Sequence, residues 1–437
     1  MDIKPDQLVQ EIDGKVFGEI KTDLSIHRIS TDTRQIEKND VFFAIKGDCF
    51  DGHDFISEAF EKGARHFVMS EIKKIPTTLK NNANFICVAD TVKAYGDLAR
   101  FYRRQFKIPA VAITGSVGKT TVKELVAHLL SAKFKVLKNQ GTENNLIGVP
   151  KTLFQLESSH EVIVLEMGTN LPGEIERLSS IIAPKIGILT QISPSHLEGL
   201  KNLEGVKKEK LQVLKNLEPG GVLILNGEDP SLQNVQSAFH KIRRVVFSNP
   251  PVETQLIGRH NQINCLLAIE CAKAMGMEAE SLKKSLSTFK PVPGRLNLKN
   301  WDDILFLDDS YNSNPGSFRA ALETLKNFKI HGKKIVVCGD MLELGKESEV
   351  YHREMGVLIA KNDFDFVIAC GSECKFLVES ALKAGYAASK IQHVKDSLEA
   401  AHYCQKIALP GDLVLVKGSR GMQMEKVFEC FISCSTP

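Results

Sequence analysis

Between residues 107 and 226 the chain repeats one pattern: a short unbroken apolar run, a polar turn, then apolar positions spaced by three and four. KIPAVAIT (107–114) reads as a buried strand, and TVKELVAHLLSAKF (121–134) has the spacing of a helix with one apolar face. EVIVLEMG (161–168), KIGILT (185–190) and GVLILN (221–226) are further continuous apolar runs, the pattern of parallel strands covered on both sides. A helical spacing near Asn264 to Met275 and a Pro/Gly break, KPVPGR (290–295), come next. The alternation then restarts with DILFLDDS, KKIVVCGD, FDFVIACGS and DLVLVKGS, which marks a second α/β unit. The first hundred residues carry shorter runs, such as VFGEI and DVFFAIKG, and indicate a separate, smaller α/β module. Three domains are expected, at 1–105, 106–298 and 299–437.

Composition narrows the class. A chain of 437 residues exceeds one ordinary core. A net charge of only +3 offers no basic field for nucleic acid or an anionic membrane, so neither partner is expected. No apolar run reaches the roughly 18 residues of a bilayer span. The N-terminal MDIKPDQLVQEIDG lacks the apolar core of a signal peptide, which points to a cytoplasmic protein. Of the ten cysteines only Cys370 with Cys374, and Cys430 with Cys434, lie close together, and neither pair has CxxC spacing. Reduced thiols acting as small apolar side chains are expected.

The strongest chemical signal is TGSVGKTT (114–121), which follows a strand and opens a helix. Free N–H groups and the helix dipole favour a phosphate there. Gly115 and Gly118 let the backbone approach the phosphate oxygens, Lys119 brings charge, and the Thr120 hydroxyl suits Mg²⁺. The loop is a short variant, because Ile113 stands where the usual first glycine would be. The fold class that follows is α/β: a small N-terminal module, a central P-loop ATPase-like parallel sheet with helices, and a C-terminal Rossmann-like domain. Glu166 and His196 also fall at strand ends, where such sheets place their ligands. A carboxylate and a neutral imidazole suit Mg²⁺ or Mn²⁺ near phosphates, although either residue alone could be structural. DDSYNSNPGS (308–317) and KGSRG (417–421) are polar strand exits that could bind an anionic substrate, or, in the first case, cap a helix.

Taken together, these segments resemble the Mur ligase family nearly end to end. TGSVGKTT is similar to the family's TGTNGKTT, and GTENNLIGVP (141–150) to its GNxNNxIGVP, with Thr142 replacing an asparagine. LEMGTNLPGEI, SHLEG, GRHNQINCLLA, PVPGRLN, DDSYNSNPGS, CGDMLELG and LVKGSRGM match as well. STDTR (30–34), VFFAIKG and DGHDF resemble the segment that holds the uridine nucleotide in this family. DDSYNSNPGS and GDMLELG favour the branch that adds D-alanyl-D-alanine.

The resemblance implies an ATP-dependent amide ligase acting through an acyl phosphate, with UDP-MurNAc-tripeptide and D-alanyl-D-alanine as small-molecule substrates. Gly115, Ser116, Val117, Gly118, Lys119, Thr120, Thr121, Asn261, Arg295 and Asp309 would bind ATP. Thr120, Glu166 and His196 would hold Mg²⁺ or Mn²⁺, and Lys119, Glu166, His196 and Lys210 would carry the chemistry, Lys210 as a carbamate. A lysine-rich solvated helix face is the plainer account of the segment around Lys210. Substrate contacts are implied for Ser30, Thr31, Thr33, Arg34, Lys46, Gly47, Asp51, His53, Asn144, Asn145, Tyr311, Asn312, Asn314, Lys417 and Ser419. A monomer whose domains close around its substrates is the further implication. Other ligases of the superfamily, including folylpolyglutamate synthases, stay open as alternatives, as do a P-loop kinase or simple NTPase and a non-catalytic nucleotide-dependent scaffold. No DNPR-like motif for diaminopimelate or lysine addition is present.

Overall fold

The short apolar runs before residue 100 build a five-stranded sheet. A computed structural model describes residues 3–18, 20, 26–47, 49–247 and 251–433; Glu19 of the VFGEI run and Cys434 lie outside them. The strands are β1 (Lys15–Phe17), β2 (Ile29–Ser30), β3 (Val41–Phe43), β4 (His66–Met69) and β5 (Asn84–Cys87), in the order β1-β5-β4-β3-β2. Only β1 runs antiparallel, against β5. Alternate residues serve opposite faces: Phe42, Phe67 and Phe85 pack together on one, while Phe43 meets Tyr95 edge-on at 5.1 Å. Tyr95 belongs to the helix Thr91–Arg104, which starts where the Asp90 carboxylate accepts from the Val92 and Lys93 amides. Both faces are therefore covered, which explains unbroken rather than alternating apolar runs.

Six middle strands follow: β6 (Ala110–Thr114), β7 (Val136–Lys138), β8 (Val162–Glu166), β9 (Ile186–Leu189), β10 (Val222–Asn226) and β11 (Lys241–Val245). Their order is β11-β10-β9-β6-β8-β7. The apolar runs at 107–114, 161–168, 185–190 and 221–226 are four of these strands. The two edge strands escape such a reading, since VLK is short and KIRRV carries three cations where no second neighbour buries it.

The last sheet holds β12 (Asn297–Trp301), β13 (Ile304–Asp309), β14 (Lys334–Gly339), β15 (Phe366–Cys370), β16 (Ile391–Val394) and β17 (Leu413–Lys417), in the order β12-β13-β17-β14-β15-β16. β12 is the antiparallel member, joined to β13 by Asp302 and Asp303, both left-handed (φ 47° and 61°) as a tight two-residue hairpin turn requires. Ile335, Val337, Ile368, Val414 and Val416 form the core under Phe306, which meets Phe428 and Phe431 edge-on.

By packing, the chain divides into two compact units. One comprises Met1–Ala112, Phe134–Met167 and Glu176–Lys185; the other comprises Ile113–Lys133, Gly168–Ile175 and Ile186–Pro437. In the first, the buried Arg103 guanidinium donates to the carbonyls of Phe106, Ile108 and Ile182, so a buried cation meets three acceptors. Among the described residues no helix is long and apolar enough to cross a membrane. The described cysteines are free thiols; burial pushes Cys370 up to about 12, and Cys374 well above the ordinary thiol value with its neighbour Cys338.

Candidate active site

In the second unit, β6 ends at Thr114 and the chain turns at Gly115 (φ 146°), where a Cβ would fall 2.0 Å from Thr190 Oγ1. Gly118 (φ 85°) opens the helix Lys119–Leu130, and a Cβ there would lie 2.6 Å from Asn264 Oδ1. Both positions thus need glycine. Neighbouring groups hold the loop between them. The Ser116 amide donates to Gln191 O (2.7 Å), its hydroxyl to Ser193 O (2.8 Å), and the Thr190 hydroxyl to Val117 O (2.5 Å). No side chain caps the helix, whose first turn faces forward as an anion site.

Residues far along the chain reach this loop. Arg295 Nη2 lies 3.4 Å from Thr120 Oγ1, and its guanidinium sits 4.2 Å over the Tyr311 ring. Buried Lys417 donates to Asp309 Oδ2 (2.5 Å) and Asn312 O (3.0 Å). Burial lowers the lysine below its ordinary pKa, against the pull of Asp309. Burial likewise pushes His260 down to about 4, so it is neutral near pH 7. Asn261 donates to Ile257 O and accepts from Asn264, and it shares a small recess with Gly118, Thr120, Arg295 and Asp309. Beside that recess lies a cavity of about 650 Å³ lined by Val117, Ile192, Asn226, Ile257, Ile263 and Phe328, among others. A cavity with both apolar and polar walls, next to an N–H-rich, cationic loop, suits a base and its phosphates respectively.

The DDSYNSNPGS segment divides its residues between scaffold and recess. Asn314 caps the helix Pro315–Asn327 through a reciprocal box with Ser317, and its amide also donates to Ser116 O (3.3 Å). Asp308 accepts from Ser310 and pairs with Lys299. Ser419 donates to Ser313 O (3.2 Å) and accepts from the Leu342 amide (2.9 Å).

His196 follows β9 with φ 52°, and its Nδ1 stands 2.6 Å from Glu343 Oε2. That imidazole holds the Glu343 carboxyl below the usual carboxylate range. Lys210 is buried at the end of the helix Leu203–Lys210, while Glu204 and Lys208 on the same helix are exposed, so the stretch does carry a solvated face but Lys210 is not on it. Its neighbour Glu209 accepts from the Gly173 and Ile175 amides, capping the helix Glu174–Ile182.

In the first unit, Glu166 ends β8 and is buried. Its Oε1 accepts from Asn144 Nδ2 (2.7 Å), whereas Oε2 has no hydrogen-bond partner. Asn139 braces the same residue through both backbone groups. An orphaned, buried carboxylate oxygen is costly alone and suits a hard cation.

A pocket of about 900 Å³ occupies the same unit, lined by Arg28, Ser30, Thr31, Gln140, Asn145 and Lys151 together with Tyr95 and Tyr102. Of the implied substrate residues, Ser30, Thr31 and Asn145 line it. Thr33 and Arg34 lie in the adjoining turn, where the Arg34 guanidinium folds back onto Asp32. Lys46, Gly47, Asp51 and His53 do not line it. Asp51 instead accepts from His53 Nδ1 (2.6 Å) and Lys74 (2.8 Å), and His53 Nε2 accepts from the Ser70 amide (3.0 Å). Lys74 holds the Asp51 carboxyl well below the usual range. Arg28, Gln140 and Lys151 escaped the sequence reading, and their only signal is a cation or amide near the GTENNLIGVP stretch or before STDTR.

The fold and this loop define an α/β enzyme with a phosphate-binding loop. Family models match three stretches: the Mur ligase family catalytic domain at residues 25–103, the Mur ligase middle domain at 113–250 and the Mur ligase glutamate ligase domain at 294–420. The chain is 34% identical to UDP-N-acetylmuramoyl-tripeptide–D-alanyl-D-alanine ligase of Bacillus subtilis (strain 168), over 93% of each chain. Its structure is similar to MurF from Acinetobacter baumannii (TM-score 0.88, 29% identity, 99% of each chain). It is also similar to MurF ligase from Thermotoga maritima in complex with ADP (TM-score 0.83, 27% identity, 95% of this chain and 99% of that one). The chain belongs to the Mur ligase family and is an ATP-dependent ligase.

Proposed function

We propose that this chain joins D-alanyl-D-alanine to UDP-MurNAc-tripeptide, giving UDP-MurNAc-pentapeptide, ADP and phosphate, in cytoplasmic peptidoglycan precursor synthesis. The observation that carries the reading is the end-to-end likeness to ligases of that name, at 34% identity over 93% of the chain. The phosphate loop, with both glycines where side chains would clash, supports it. In this reading residues 1–105 take the uridine nucleotide and 106–298 bind ATP. Residues 299–437 complete the ATP site and receive the dipeptide, and the protein acts as a monomer.

The terminal carboxylate of the tripeptide attacks the γ-phosphorus of ATP and ADP leaves. The dipeptide amine then attacks the acyl phosphate carbonyl, losing a proton as phosphate departs. Two anions have to meet in the first step, so positive charge is the main requirement. Lys119 and the helix N-terminus neutralise the β- and γ-phosphates, and Arg295 lies where it can follow charge toward the leaving group. Asp309 and Asn261 face the nucleotide from the recess, while Tyr311, Asn312, Lys417 and Ser419 serve the dipeptide side. The residues fit Mg²⁺: Thr120, His196 and Glu166 are hard or borderline donors, and Glu166 Oε2 is buried without a partner. When bound, Mg²⁺ would draw charge from the phosphate oxygens and the acceptor carboxylate. Lys210, buried at the end of the helix Leu203–Lys210, is the residue taken for carbamoylation, in which its amine nitrogen adds to the carbon of carbon dioxide and loses a proton. The carbamate would add an anionic oxygen pair.

Phosphate release from ATP should require both UDP-MurNAc-tripeptide and D-alanyl-D-alanine, with the pentapeptide nucleotide found by mass. Release that ignores the dipeptide, or needs a single amino acid, would overturn the reading in favour of a simple NTPase or a sister ligase.

A further inference from the structure

Only one nitrogen of the His196 ring serves as a ligand in the reading above. The other, Nδ1, stands 2.6 Å from Glu343 Oε2, and Glu343 lies in GDMLELG (339–345), directly after β14. Backbone contacts fix both ends of this pair. The Leu197 amide donates to Glu343 O at 3.0 Å. His196 (φ 52°) and Glu343 (φ 63°) both occupy the left-handed region, which costs a non-glycine residue on the order of 1 kcal/mol or more. Gly345 (φ 54°) lets the segment pass the helix Leu197–Leu200, since a Cβ there would already lie 3.3 Å from Glu198 Cγ. The segment is tied down elsewhere too. Leu342 N donates to Ser419 Oγ (2.9 Å), Met341 N to His352 Nε2 (3.1 Å), and Ser419 N to Asp340 O (3.1 Å). A strained pair of backbones held by this many contacts is a geometry the fold enforces.

A metal-binding imidazole commonly gives its second nitrogen to a carboxylate, which fixes the tautomer and aims the ring. We propose that Glu343 is the positioning residue for His196: its carboxylate stands 2.6 Å from Nδ1 but out of line for a hydrogen bond, and a turn of the ring that brings Nδ1–H onto it leaves the Nε2 lone pair for the divalent cation. GDMLELG then makes the aim of that ligand depend on the C-terminal sheet. The inference rests on the reading of His196 as a metal ligand.

The test is Mn²⁺ binding followed by electron paramagnetic resonance on the full chain, with a non-hydrolysable ATP analogue and UDP-MurNAc-tripeptide present. His196→Ala, Glu343→Ala, Glu343→Gln and the double variant H196A/E343A would be compared with the parent. Glu343→Ala should weaken Mn²⁺ binding by about tenfold to a hundredfold. Glu343→Gln should weaken it less, because its amide oxygen can still accept from Nδ1–H. The double variant should bind no more weakly than His196→Ala alone. Nitrogen NMR should find His196 as the Nδ1–H tautomer in the parent and in Glu343→Gln, and as a mixture in Glu343→Ala. The isosteric glutamine variant keeps the test alive should the alanine variant not fold. Unchanged Mn²⁺ affinity in both Glu343 variants, beside a weakened His196→Ala, overturns the proposal. Unchanged affinity in His196→Ala overturns the reading of His196 beneath it.

Discussion

The phosphate loop at residues 114–121 takes its backbone shape from one continuous stretch of chain, although distant residues such as Arg295 and Asp309 complete the recess in front of it, whereas the N-terminal pocket is assembled wholly from separated segments around residues 27–35, 95–102 and 140–157. In the first, two glycines and a helix start present backbone N–H groups, and the chemistry is local. In the second, the lining arrives from strand exits, a helix face and a loop, and no single stretch announces it. Phosphate can be bound by backbone geometry, which a short stretch encodes. A larger ligand needs side chains from several elements, and their meeting is a tertiary event.

Removing the charge of the local site should have the largest effect. Lys119→Ala should lower kcat about a thousandfold, by analogy with loss of a key charge-stabilising group, and leave binding of UDP-MurNAc-tripeptide intact. A loss under tenfold would mean that the loop does not carry the chemistry. Next comes Gly115→Ala, whose added methyl meets Thr190 Oγ1 at 2.0 Å. A clash costing about 1–3 kcal/mol should weaken ADP binding by about tenfold to a hundredfold in calorimetry; unaltered affinity would show that the loop yields freely.

The assembled pocket should answer more softly. Lys151→Ala should raise the dissociation constant for UDP-MurNAc-tripeptide about tenfold, the scale of one charge-assisted contact, without touching ADP. His53→Ala should leave that constant unchanged and instead cost about 1–2 kcal/mol of unfolding free energy, because Asp51 and the Ser70 amide lose their partner. A substrate defect without a stability defect would return His53 to the ligand.

The smallest effect concerns pH. His260, held at about 4 when folded against an ordinary 6.5, binds fewer protons than the unfolded chain between those values. Its contribution to stability is therefore fully present above about pH 6.5 and is lost as pH falls toward 4. His260→Gln should reduce the stability loss between pH 7 and pH 5 by about 1 kcal/mol in denaturant titrations. Parallel pH profiles for the two proteins would place the histidine in water.

Much of the scaffold was legible without coordinates. Continuous apolar runs marked strands with two covered faces, and KIPAVAIT and DLVLVKGS became β6 and β17. Edge strands were not, because KIRRV buries too little to leave an apolar signature. The start of the helix at Lys119, two residues before its apolar spacing begins, was set by the loop.

The sequence by itself determined the α/β class, the phosphate loop with its two obligatory glycines, and the family resemblance, since each depends on neighbours along the chain. Only the tertiary structure decided that Lys417 is buried against Asp309, that Asp51 and His53 close on each other, and that Glu343 meets His196. Those outcomes depend on which distant carboxylate or carbonyl reaches a polar group as water leaves it, and burial of one end cannot be read without the other.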